Sequence, residues 1–346
     1  MSGTSLDGLD LVYVLFYLED GAWRYQIVKA ETVAYPVRWQ SQLANAHTLN
    51  AEALIALDRA YGTYIGEQVR LFVNGLQKPD FVASHGHTIM HRPELGYTLQ
   101  IGHGANLAQA AGLPVVADFR SADVAAGGQG APLVPAGEQI LFQEHHAFVN
   151  LGGFANASLV SDKGIIAFDI VPCNIVLNAL CTRLNLQYDA GGRIAASGKS
   201  IPQLLDKLNA LPYYRLNPPK SLGREWVSAY ITPLLEQYAS DPIPDLLHTF
   251  CLHVAEQVHL AVAAKIDSDD TILFSGGGVF NAFLMQAIRQ CGLGKAIAVP
   301  DEQTICFKEA LVFAFLGLLF FNDIPNCLPS VTGASRPVIG GALYKY

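Results

Sequence analysis

Residues 148–160, FVNLGGFANASLV, decide the architecture. An apolar, strand-like run ends at Leu151, Gly152 and Gly153 make a turn, and a second strand-like run follows. Residues 2–16 follow the same logic, with SGTSLDG as the turn and the strand pattern LDLVYVLFYL starting at Leu9. Two loosely similar copies of a turn plus hairpin in one chain predict a duplicated α/β architecture of two lobes. The natural division is 1–145 and 146–346, with the chain end packing back on the first lobe. A turn built from Gly, Ser, Thr and Asp lets backbone N–H groups and hydroxyls surround a phosphate. It is not a Walker loop, because GxxxxGK[ST] occurs nowhere. The seven residues alone leave an ordinary hairpin turn equally open. Such a turn normally has a strand on both sides, so residues ahead of Met1 are expected.

The bulk composition agrees with two lobes. A chain of 346 residues is long for one core. Apolar residues make up 51% and charged residues 15%, against about 25% charged in an average domain, which suits a deeply buried α/β protein. Net charge is −8 and Lys and Arg form no run, which excludes a nucleic-acid backbone as partner. Six cysteines without a CxxC pair point to a reducing compartment, and no basic-then-apolar leader opens the chain. The longest apolar run, residues 310–321, is short of the roughly 20 needed to span a bilayer, so it reads as a buried core helix and the protein as cytoplasmic, not membrane-bound.

Along the chain, strands are expected at residues 9–18, 23–35, 81–84, 97–101 and 114–118, and helices at 39–45, 51–75 and 106–111. The glycine- and proline-rich stretch 127–139 reads as a fixed loop. A mostly helical region extends from Asn174 to about Ile266, followed by a strand at 271–275, the glycines 276–278 and a helix at 281–291. Strand–GGG–helix lets a nucleotide approach the backbone, because no Cβ atoms stand in the way; the same glycines also serve simply to close a tight turn.

The chemistry is placed at residues 167–178, AFDIVPCNIVLN. A strand-like run ends at Asp169 and a helical pattern begins after Asn174. A carboxylate at such a corner either caps the helix or accepts a proton from a substrate, and this segment leaves both open. His85, His87 and His91 suggest a metal triad at first sight, but no matching ligands follow at helical spacing, so hydrogen bonding to a polar ligand fits His87 better.

In order along the chain stand MSGTSLDGLD, SHGHT, QIG, ADFRSADVAAGGQGAPLVP, NLGGFANAS, FDIVPCN, YDAGGRIAASG, PKSLGRE, SGGGVFN, KEALVFAFL and VTGA. This set resembles the anhydro-N-acetylmuramic acid kinases. The resemblance implies duplicated actin-like ATPase (ribonuclease H-like) lobes with an interlobe cleft, using ATP and Mg²⁺. Enzymes of that family open the 1,6-anhydro bond of the sugar with water and phosphorylate O6, in cell-wall recycling. Asp169 takes the position of the catalytic base. The phosphate turn falls on Ser2, Gly3, Thr4, Ser5, Leu6, Asp7, Gly8 and Leu9, with Asp7 the candidate for Mg²⁺. Gly152 and Gly153 form the second phosphate turn, and Gly276, Gly277 and Gly278 the adenosine-side turn. On the sugar side, Arg120 suits the lactyl carboxylate, with His87, Thr88, Gln129, Asn174, Arg224 and Glu309 as further contacts. Resemblance also suggests a homodimer.

Four positions depart from the usual pattern: Val171 and Cys173 replace glycines, Asn178 an Asp, and His87 a Gln. Lost glycines should restrict the corner and crowd a sugar packed against it. Two alternatives therefore accompany the anhydro-sugar kinase: a kinase of a different sugar, and a non-catalytic nucleotide-binding module.

Overall fold

The computed structural model describes residues 1–3, 6–161, 164–266, 270–294 and 296–346. The chain divides into two compact units, one of residues 1–142 plus 307–346, the other of residues 143–306. The first break falls between Phe142 and Gln143, close to the expected 145/146, and the chain from Phe307 onward belongs with the first unit.

In the first unit, β1 (Gly8–Glu19) and β2 (Ala22–Ala34) form an antiparallel hairpin. Asp20 (φ 52°) and Gly21 (φ 79°) turn it, the paired positive φ values that match strand twist in a two-residue hairpin loop. Alternation along β1 sends Leu9, Leu11 and Tyr13 inward. They meet the buried stripe Leu57, Tyr61, Ile65, Val69 and Phe72 of α2 (Ala51–Phe72), which follows the short α1 (Val37–Ala44). Strand β3 (Val82–Ser84) leads to the hairpin β4 (His87–Arg92) and β5 (Tyr97–Ile101). After α3 (Gly104–Ala111), strand β6 (Val115–Ala117) pairs parallel with β3. Then come α4 (Ser121–Ala125) and α5 (Val134–Leu141). The second of these corrects the expected loop at 127–139: Pro135 sits in the first turn, where its missing N–H costs nothing.

The second unit opens with β7 (Ala147–Leu151), β8 (Phe154–Ser161) and β9 (Gly164–Pro172), three antiparallel neighbours. Helices α6 (Asn174–Thr182), α7 (Arg193–Ser197), α8 (Pro202–Asn209), α9 (Arg224–Trp226), α10 (Thr232–Glu236) and α11 (Ile243–Val262) follow. Strand β10 (Ile272–Ser275) pairs parallel with β7, and β11 (Ile297–Ala298) parallel with β10, with α12 (Ala282–Ile288) in between. The sheet order is β11-β10-β7-β8-β9. Buried Leu246, Leu247, Phe250, Cys251, Val254 and Val258 of α11 cover it, at the spacing of one helix face.

Helix α13 (Glu302–Phe321) carries the long apolar run. It is the one described helix long and apolar enough to cross a membrane, yet 61% of its apolar window is buried inside the protein. Short α14 (Pro329–Thr332) precedes β12 (Ala342–Tyr344), which pairs antiparallel with β6 and so ties the chain end to the first unit's sheet.

Candidate active site

The corner at Asp169 differs from the sequence expectation. Strand β9 runs past Asp169 to Pro172, so the carboxylate lies within a strand. Helix α6 begins after Cys173 and has no side-chain cap. Helix capping is thereby removed as the role of Asp169. In the β8–β9 register, Ala155 faces Val171 while Asn156 faces Asp169, leaving Ile170 as a bulge. A bulge re-aims the neighbouring side chain and ends regular pairing.

Asp169 is gripped by the PKSLGRE segment. Its backbone N–H donates to Lys220 O (3.0 Å) and its carbonyl accepts from Tyr213 Oη (2.7 Å). Side-chain Oδ2 accepts from the Leu222 N–H at 2.8 Å. Burial pushes the carboxyl above the usual carboxylate range, and the Leu222 hydrogen bond only partly opposes this. Lys220 is not a salt-bridge partner: its ammonium lies over the Tyr213 ring, 4.7 Å from the centroid, and burial lowers its pKa.

A glycine cradle stands at the carboxyl ends of β7 and β10, where Asn150 and Ser275 are register partners. Carboxyl ends of parallel strands are where α/β folds bind ligands. Gly276 has φ 81°, and a Cβ there would meet Asn150 Oδ1 at 2.5 Å. At Gly278 it would meet Leu151 Cβ at 2.6 Å, whereas at Gly277 its nearest neighbour would be Asn174 Nδ2 at 3.9 Å. The carbonyls of Gly152 and Gly153 accept the first N–H groups of α6, and Asn174 Nδ2 donates to Leu151 O at 3.0 Å. The cradle thus unites Gly152, Gly153, Asn174 and Gly276–Gly278. The Ser275 hydroxyl, buried without a partner among the described residues, adds an unspent polar group at its head. Backbone exposed without Cβ atoms, plus amide side chains, fits a nucleotide. Sequence reading missed Asn150 and also Asn281, whose side chain caps α12 at 2.9 Å.

Two of the departures lie inward. Val171 and Cys173 are fully buried in the second unit's core, and neither has a positive φ, so their side chains load the core rather than the surface of this corner. Asn178 is exposed on α6, and Arg224 is exposed at the start of α9.

In the first unit, Thr4 and Ser5 lie outside the described residues. Leu6 has φ 59°, Asp7 is exposed and its Oδ1 accepts from Gly8 N at 3.0 Å. Leu9 turns into the core, and a Cβ on Gly8 would strike Val33 O at 2.7 Å. Ser2 Oγ lies 2.9 Å from His87 Nδ1 and accepts from Tyr35 Oη at 2.8 Å, and Tyr35 meets Tyr61 at 2.6 Å. Burial lowers the His87 pKa, so the ring is neutral at pH 7. A cavity of 210 Å³ beside it is lined by Leu6, Leu43, His47, His87, Thr88 and Ile89; His47 had no signal in the sequence.

Arg120 is tied down by Nε and Nη2 contacts to His85 Nε2 (3.1 and 2.8 Å) and by Nη1 donating to Gly130 O (2.7 Å). Burial, then the Arg120 charge, hold the His85 pKa down at about 3, so neutral Nε2 accepts those bonds. Glu309, exposed, supplies the main opposing charge to Arg120. Gln129 is exposed and its backbone N–H donates to Thr332 O at 2.8 Å. Buried Asp123 fixes this loop through Gly130 N (2.8 Å) and Thr332 Oγ1 (2.7 Å). His91 pairs with Thr98, so the three histidines go to three different partners.

A glycine cradle at parallel strand ends and a desolvated, oriented carboxylate two strands from β7 in the same sheet fit an α/β phosphotransferase. The anhydro-N-acetylmuramic acid kinase family model matches residues 1–346. The chain belongs to that family and is a kinase. A relative so named from Bordetella pertussis is 39% identical, with 99% of this chain and 94% of the relative covered. Another from Nitrosospira multiformis is 36% identical over 99% and 97%. Among solved structures, the activator of the 2-hydroxyisocaproyl-CoA dehydratase from Clostridium difficile, with bound ADPNP, is 13% identical over 86% of this chain and 89% of that one, with a TM-score of 0.40.

Proposed function

We propose that Asp169 is the general base of an ATP-dependent kinase that opens 1,6-anhydro-N-acetylmuramic acid with water and phosphorylates O6. The observation that carries the reading is the state of its carboxylate. One oxygen is pinned by Leu222, the other has no partner among the described residues, and burial raises its proton affinity. Such a group takes a proton from water without needing a strong base. The water oxygen bonds to the anomeric carbon and the C1–O6 bond breaks. O6 bonds to the γ-phosphorus of ATP as the bond to the β–γ bridging oxygen breaks, and the water proton passes to Asp169. Positioning and charge neutralisation supply the rest.

ATP is assigned to the cradle of Gly152, Gly153 and Gly276–Gly278. Mg²⁺, which would neutralise phosphate charge, is assigned to exposed Asp7. Arg120 keeps its second Nη hydrogens for the lactyl carboxylate, and His87, Thr88, Gln129, Asn174, Arg224 and Glu309 complete the proposed sugar contacts. Six free cysteines support a reducing, cytoplasmic setting; a homodimer rests on resemblance alone. The test is turnover of the anhydro sugar in ¹⁸O-labelled water. Label at the anomeric hydroxyl of a 6-phosphorylated product supports the reading, and unlabelled product refutes it.

A further inference from the structure

Most of the Arg120 guanidinium is already engaged inside the first unit. Nε and Nη2 both reach His85 Nε2, at 3.1 and 2.8 Å. Nη1 donates to Gly130 O at 2.7 Å, and the group lies over Phe313 of α13, with Cζ 5.8 Å from the ring centroid. A guanidinium takes a carboxylate in a paired grip along one edge. Here the Nε–Nη2 edge is spent on His85, and one hydrogen is left on each Nη atom.

Each partner is itself held. Gly130 N donates to Asp123 Oδ2 at 2.8 Å, and buried Asp123 also accepts from Thr332 Oγ1 at 2.7 Å. His85 is buried against Phe313, with ring centroids 4.7 Å apart. Its Nδ1 lies 3.0 Å from Gly86 O. A carbonyl only accepts, so Nδ1 carries the hydrogen and Nε2 keeps the lone pair that Arg120 needs. Gly86 sets that carbonyl in place: its φ is 72°, and a Cβ there would strike Ile101 O.

The charge of the acceptor matters as much as its position. A carboxylate in place of His85 would orient Arg120 but offset its charge, leaving little to attract an anion. The neutral ring orients the guanidinium and leaves its charge intact. Glu309 supplies the main opposing charge, without an ion pair to Arg120 among the described residues.

We propose that His85 is a positioning residue for the acidic substituent of the sugar: it occupies the Nε–Nη2 edge of Arg120 and leaves only the remaining Nη1 and Nη2 hydrogens for a carboxylate. This rests on the assignment of Arg120 to the lactyl carboxylate, and makes His85 a determinant of the preference for an acidic over a neutral sugar. With the guanidinium fixed beforehand, binding the acid carries no further cost for ordering that side chain.

The test is a preference ratio: kcat/KM for 1,6-anhydro-N-acetylmuramic acid divided by kcat/KM for its methyl ester, in wild type and three variants. His85→Phe keeps a ring against Phe313 but removes the acceptor. It should cut the ratio about tenfold or more, mainly through the KM of the acid. His85→Gln offers an amide oxygen to the same edge and should hold the ratio within about threefold of wild type. Arg120→Met should cut the ratio at least as far as His85→Phe. Equal losses on both substrates in His85→Phe, beside a collapsed ratio in Arg120→Met, overturn the role of His85 alone, since the ring then serves only packing. A ratio as low in His85→Gln as in His85→Phe overturns it too. An unchanged ratio in Arg120→Met overturns the carboxylate assignment and the inference with it. If His85→Phe does not fold, His85→Leu takes its place in the same comparison with His85→Gln.

Discussion

Leu222 donates its backbone N–H to Oδ2 of Asp169 at 2.8 Å, across fifty-three residues of chain. The bond orients the carboxylate without neutralising it, and leaves its second oxygen without a partner among the described residues. Asp169→Asn keeps the shape and the Leu222 contact but removes the basicity. It should bind sugar and ATP normally and lower kcat by about 10³-fold, the usual scale for a lost general base. Binding by calorimetry and turnover by ADP release check this; kcat within about tenfold of wild type would refute the assignment.

The same carboxyl sets a pH dependence. Burial raises its folded pKa above the ordinary 3.8, so the active, ionised form is lost as pH falls through a value higher than that of a free aspartate. The acid limb of kcat/KM should sit correspondingly high and vanish in Asp169→Asn. For stability the sign is opposite: a raised carboxyl pKa means that ionisation favours the unfolded chain. Asp169→Asn should therefore melt no lower than wild type at pH 7 and lose its advantage as pH falls through the folded pKa toward the ordinary 3.8.

Adjacent glycines of the cradle should respond differently to one methyl group. Gly278→Ala places a Cβ 2.6 Å from Leu151 Cβ and should cost about 1–3 kcal/mol. Gly277→Ala meets nothing closer than 3.9 Å and should stay within about 0.5 kcal/mol in stability, while weakening nucleotide binding. Thermal melts with and without ATP separate the two effects.

Lys308 Nζ and Glu138 Oε1 form an ion pair at 2.5 Å with side chains only 7% and 4% exposed. Removing one partner strands a buried charge, so Lys308→Met or Glu138→Gln should each cost about 3–5 kcal/mol. The double variant Lys308→Met/Glu138→Leu should recover most of that loss in denaturant unfolding.

His85 and His253 are both held at about 3 by burial. In the unfolded chain they titrate near 6.5, so protons favour unfolding between those limits. Each should contribute about 1.4 kcal/mol of lost stability per pH unit as pH falls below 6.5. His253, between Asn209 (2.6 Å) and Tyr214 (3.0 Å), gives the cleaner test. Its replacement by Gln should flatten the stability profile between pH 6 and 4, and an unaltered slope would refute its share.

Much of the site was legible because its parts are local. Glycines at 152–153 and 276–278, and a carboxylate following an apolar run, stand out in one dimension. The corner itself was misread by three residues, since the run GIIAFDIVP continues as strand to Pro172 only because β8 pairs with it. The grip on Asp169 was invisible: Tyr213, Lys220 and Leu222 reach it from segments with no periodic signal. His47 entered its cavity for the same reason. Asn150 was read as a strand residue, and its contact with Gly276 is made by parallel pairing of β7 with β10.

By itself the sequence determined the elements: alternation along β1, the helical stripe of α2, the glycine turns and the presence of an aspartate at 169. Those follow from local backbone preference and side-chain period, which act over a few residues. Only the tertiary structure decided that Asp169 is desolvated and singly bonded, that Val171 and Cys173 point into a core, and that Arg120 is shared with His85. Burial and proton affinity are set by atoms brought from distant parts of the chain, and no residue carries that information in its own neighbourhood.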